Sequence, residues 1–66
     1  MTQDKAIKLA KKVAAISGDL RYIVWSNEPV DAPGEHYHVC SEFDLDTFFS
    51  GCKVVFCVSS DGSIEN

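Results

Sequence analysis

The chain has no cysteine pair at C-x-x-C spacing, no glycine-rich loop of the kind that cradles phosphate, and no apolar run near the roughly 20 residues a bilayer helix requires. These absences remove the strong signatures of a zinc ribbon, a dithiol redox site, a P-loop and a membrane span. The three cysteines, Cys40, Cys52 and Cys57, are an odd number, and no charged start followed by an apolar stretch marks a signal peptide. A soluble protein in a reducing cytoplasm is the expectation. Proline and glycine are scarce, and both prolines fall in the segment Glu28-Pro29-Val30-Asp31-Ala32-Pro33-Gly34.

Positive charge is also in short supply. Ten acids oppose six bases for a net charge of −4, and the imbalance is uneven along the chain. Residues 1–17 hold Lys5, Lys8, Lys11 and Lys12 against Asp4, a balance of +3, whereas residues 18–66 carry −7. Nucleic-acid affinity comes mostly from neutralised phosphates, so an acidic body with one short lysine face argues against a nucleic-acid ligand.

What is present is ordinary globular composition, with 45% hydrophobic and 24% charged residues, in a chain of 66 residues. That length makes one domain, residues 1–66, which buries only about 60% of the surface its unfolded chain exposes. The most telling stretch is Lys53-Val54-Val55-Phe56-Cys57-Val58-Ser59. It is β-branched and apolar on both alternating faces, which suits a covered sheet strand. Leu20-Arg21-Tyr22-Ile23-Val24-Trp25 reads the same way, and Glu35-His36-Tyr37-His38-Val39-Cys40 alternates cleanly as a second strand. The proline-bearing segment between them is the expected hairpin loop.

Two helices frame these strands. Thr2 is placed to cap the first, Asp4 sits in its first turn, and Gly18 follows where a left-handed stop is expected, giving a helix over about Gln3 to Ser17. At 100° per residue, Ala6, Leu9, Ala10, Val13 and Ile16 share its apolar side, with the four lysines opposite as a solvated back. Ser41 with Asp44 forms a variant capping box, with Cys40 and Leu45 at the staple positions, for a second helix of about two turns. Leu45, Phe48 and Phe49 give its apolar stripe, and Gly51 its stop. Glu42, Asp44 and Asp46 match the helix dipole and lack the alternation of oxygen ligands a calcium loop needs.

The order helix, strand, strand, helix, strand predicts an α+β fold, a small three-stranded antiparallel sheet with one long and one short helix packed on one face. The third strand is expected beside the first, order 2-1-3, with a simple meander as the alternative. If Tyr37 and Val39 face the helices, so should Leu20, Tyr22, Val24, Val54, Phe56 and Val58. The opposite face then collects Ile23, Trp25, Val55 and Cys57 among Arg21, His36, His38 and Cys40.

That second face carries the functional expectation. Trp25, Ile23 and Val55, with His36, His38, Pro29 and Pro33 at the rim, are expected to form a contact surface for a protein partner or for a second copy in a homodimer. The runner-up is an acidic inhibitor or nucleic-acid mimic of bacterial or phage type, suggested by size and charge. His36-x-His38-x-Cys40 places two imidazoles and a thiol on one strand face, a weak zinc pattern with no C-x-x-C support. No catalytic residue and no cofactor is expected, because no oxyanion-type glycine loop precedes any cysteine and so short a chain offers little concavity. The cysteines read as small buried hydrophobes.

Overall fold

The computed structural model describes residues 1–26 and 36–66. Helix α1 spans Gln3–Ser17, β1 Arg21–Trp25, β2 Tyr37–Cys40, α2 Glu42–Asp46, β3 Lys53–Val58 and β4 Ile64–Glu65. The fold is α+β, and the sheet is antiparallel in the order β2-β1-β3-β4. The third strand lies beside the first as expected, and a fourth strand is added. Gly62, at φ 92°, makes that addition possible by turning the chain after Ser59, while the Ser63 N–H donates to Asp61 Oδ1 at 2.9 Å. Those Ser63 hydrogen bonds hold the Asp61 carboxyl below its usual range.

α1 begins and ends as its sequence prescribes. The Lys5 N–H donates to Thr2 Oγ1 at 3.4 Å, and Gly18, at φ 76°, donates its N–H to the Ala14 carbonyl at 2.8 Å. What it buries differs from the expectation. The fully buried positions are Ala6, Ala10 and Ala14, while Leu9 is 36% and Ile16 78% exposed. The helix is rotated about its axis towards the alanine row, whose methyl groups allow the backbone to settle close on the sheet. Leu9 and Ile16 are thereby carried to the edge of the contact and beyond it.

The sheet register corrects the face assignment of β1. Ile23 pairs with Val39 and Trp25 with Tyr37, whereas Tyr22 pairs with Cys40 and Val24 with His38. Directly opposed residues share a face, so Ile23 and Trp25 lie on the Tyr37 and Val39 side. This is the side α1 covers, because Ala6, Ala10, Ile23 and Val58 form one buried cluster with Tyr37, Val39, Val55 and Phe56 against it. A bulge in β3 adds to the correction: Ile23 pairs with Phe56 but Val24 with Val54, leaving Val55 as the extra residue, so that Val55 and Phe56 both pack on the α1 cluster. Strict alternation from either end of β3 misplaces one of its ends. The outer edge of β2 is met by Met1, whose backbone nitrogen donates to the Tyr37 carbonyl at 3.2 Å and whose carbonyl accepts from Tyr37 N–H at 3.1 Å.

The second face is not left bare. Val24 is fully buried there and Cys40 nearly so. Phe49, in the turns that follow α2, sets its ring against His38 on this face at a centroid distance of 5.3 Å. The capping box does form, with Ser41 N–H donating to Asp44 Oδ2 and Asp44 N–H to Ser41 Oγ, both at 3.3 Å. α2 nonetheless ends at Asp46, short of Gly51. Thr47 closes it, its hydroxyl donating to the Phe43 carbonyl at 3.2 Å.

Candidate functional site

The early end of α2 governs which aromatics reach the protein and which reach solvent. Beyond Asp46 the chain continues in turns, so the stripe of Leu45, Phe48 and Phe49 loses its helical register. Leu45 and Phe49 are half-buried; Phe48 is 81% exposed. Phe43, at the second position of α2, is 72% exposed. Two phenylalanines held in solvent on one short segment are costly to leave bare, each offering on the order of 150–250 Å² of burial if covered. Acids surround them, since Glu42 and Asp46 are exposed and Asp44 is half-buried.

Beside Phe43 lies a cleft of about 320 Å³ between the start of β1 and the start of α2, lined by Asp19, Leu20, Arg21, Ser41, Glu42 and Phe43. Leu20 and Phe43 give it apolar walls and Asp19 and Glu42 an acidic rim. The Arg21 guanidinium is turned to its own strand, Nη1 donating to the Leu20 carbonyl at 3.0 Å. The cleft is open, and it joins the exposed ring of Phe43 to the acidic surface of α2.

The residues expected to form the contact surface are dispersed. Ile23 has no exposed area, and Val55, half-buried, packs against the α1 cluster. Trp25 and His36 are half-buried and lie together, ring centroids 5.4 Å apart, with His36 Nδ1 3.0 Å from the Ser26 carbonyl oxygen. His38 lies on the other face against Phe49. Pro29 and Pro33 are outside the described residues. Compared with known protein families, curated proteins and solved structures, the chain matches none.

Among the described residues, no group of three or more His, Cys, Asp or Glu side chains is placed to hold a metal ion. Cys40, Cys52 and Cys57 are free thiols. Burial pushes the Cys40 thiol up to about 11, with Asp44 and Cys52 adding to the rise and Arg21 opposing it. A thiol so raised is protonated at neutral pH and is a poor nucleophile. Tyr22, between Cys40 and Cys57 in the sheet register, is raised as well, first by burial and then by Cys57, Glu42 and Cys40. Among the described residues no helix is long and apolar enough to cross a membrane.

Phe43 and Phe48 are the residues sequence reasoning passed over as contact residues. Their signal was available at Phe43, which lies 200° from Leu45 at helical spacing and so cannot share its stripe. An apolar residue pointing away from the core, flanked by Glu42 and Asp44, is an outward-facing aromatic in an acidic setting.

Proposed function

We propose that this chain is a small protein-binding module without catalytic activity, acting in the cytoplasm and seating a protein partner on the surface that α2 presents. The observation that carries the reading is the pair of exposed rings on one short segment, Phe43 at 72% beside a cleft that it walls with Leu20, and Phe48 at 81%. Aromatic anchors surrounded by polar groups are the usual centre of a protein interface, and truncating one typically costs over about 2 kcal/mol of binding. The acidic rim favours a partner whose matching surface is basic.

A photo-crosslinking amino acid at Phe43, at Phe48 and, as a control, at Ser60 on the β3–β4 turn tests this in the native host. Discrete protein adducts from positions 43 and 48 and none from 60 are expected. The absence of any adduct from either aromatic position overturns the proposal.

A further inference from the structure

The surface left exposed on α1 has the chemistry that the α2 surface lacks. Leu9 and Ile16 are 36% and 78% exposed, and at 100° per residue Lys5 and Lys12 are not opposite them as expected but fall with them inside an arc of roughly 60° on the helix. The result is a row of two aliphatic side chains bordered by ammonium groups, on a segment whose charge balance is +3. The α2 surface is the inverse: two bare aromatic rings on a segment that carries Glu42, Asp44 and Asp46, and beside Phe43 a cleft lined by Leu20, Ser41, Asp19, Glu42 and Arg21, whose guanidinium is turned to the Leu20 carbonyl. α1 covers one face of the sheet, while Phe49, in the segment that carries the α2 surface, packs on the other.

We infer that the partner of the α2 surface is the α1 row of a second copy of this chain. The inference rests on the binding reading above and names its occupant, chosen by the complementarity of two apolar strips with opposite charged borders on one molecule. Such a contact joins different surfaces of the two copies, so it is heterologous. Each molecule keeps one unused surface of either kind, and association proceeds head to tail into open chains or closes into a ring. The charged borders steer the approach and make it dependent on ionic strength, since the screening length falls from about 30 Å at 0.01 M to about 3 Å at 1 M salt.

Sedimentation of the whole chain with two double variants decides the matter. Lys5→Gln with Lys12→Gln removes the border of the α1 row, and Glu42→Gln with Phe43→Ser removes the α2 surface; all four positions are exposed, and circular dichroism checks that both variants fold. Wild type is expected to exceed dimer mass as concentration rises in about 10 mM sodium chloride and to return towards monomer in about 1 M. Each variant alone associates more than about tenfold more weakly. Mixed in equal amounts, the two variants form a dimer and nothing larger, because one intact α1 row meets one intact α2 surface. A wild type that stays monomeric at about millimolar concentration in low salt overturns the inference, as does a mixture that remains monomeric or a variant that associates like wild type. If wild type is monomeric yet the Phe43 photoprobe captures a different protein, the second-copy inference fails and the binding proposal stands; if it captures nothing, both fail.

Discussion

Replacing Ile23 with valine removes one methylene at the point where helix and sheet meet. Ile23 is fully buried, shares a cluster with Ala6, Ala10 and Val58, and pairs in the sheet with Val39 on one side and Phe56 on the other. The helix meets it with the methyl groups of Ala6 and Ala10, and Met1 and Ile7 pack against the same cluster, so the gap closes only in part. The loss is therefore the transfer energy of one methylene, about 0.8 kcal/mol, with a cavity contribution that brings the expected cost to about 1–1.5 kcal/mol. For a domain of this size that is about 4–8 °C in melting temperature per kcal/mol, and a large part of the roughly 3–5 kcal/mol that so small a core supplies. Urea unfolding followed by far-ultraviolet circular dichroism measures it, with Phe48→Ala as the companion. Phe48 is 81% exposed, so its truncation should alter stability by less than about 0.5 kcal/mol although it removes far more apolar surface. If Ile23→Val is neutral and Phe48→Ala costs more than about 1 kcal/mol, Ile23 is the outward residue and the assignment of the two faces is reversed.

Ala10→Leu should destabilise by about 1–3 kcal/mol through overpacking at a fully buried position, and Ala15→Leu, on the exposed side of the same helix, by less than about 0.5; paired thermal melts compare them. Gly18→Ala should cost about 1–2 kcal/mol, entirely from the left-handed backbone at φ 76°, since nothing lies within 4 Å of the added methyl; a loss below a few tenths in urea unfolding refutes that. Ser41→Ala should cost about 0.5–2 kcal/mol by opening the capping box, read from the same curves. Alkaline pH should weaken the fold: Cys40 is raised in the folded state from its ordinary 9.0 to about 11, so the unfolded chain loses this proton first and stability falls as pH climbs through that window. Tyr22, raised in the same direction, adds to the fall, and Cys40→Ala should flatten the dependence of melting temperature on pH.

The elements were legible in the sequence where one local rule decided them. Thr2 and Gly18 mark both ends of α1 because a cap hydroxyl and a left-handed glycine act within a few residues of the chain, and the same holds for the box of Ser41 and Asp44. The placing of β3 beside β1 was only half legible, because the connection is short enough for a meander as well. What was not legible is the choice of face for a strand that is apolar on both. In β1, Tyr22 and Val24 alternate with Ile23 and Trp25, so hydrophobicity does not separate the two assignments, and the partner register that does so is set by residues elsewhere in the chain. The bulge at Val55 is equally silent, since no glycine or proline marks it. The same ambiguity grouped Ile23 and Trp25 with His38 on one face, where the register sets them on opposite faces.

The correction moves the functional argument from the sheet to the helices, and it does so through alanine. A helix that approaches the sheet on Ala6, Ala10 and Ala14 sits close, so its larger apolar residues have no room beneath it and must be displaced sideways. Ile7 and Val13 end half-buried at the margins, while Leu9 and Ile16 emerge next to lysines. On the other side of the sheet, α2 ends after only five residues, and the turns that follow set Phe49 against His38, while Phe43 and Phe48 stay exposed. Both exposed strips thus arise from the way the helices meet the sheet. Their charges come from separate parts of the sequence, lysines before Gly18 and acids after it. Neutralising only the lysines should therefore change association and its salt dependence while leaving the unfolding midpoint within the error of the measurement. A change in midpoint as large as that of Ile23→Val would mean that the lysines hold the fold together.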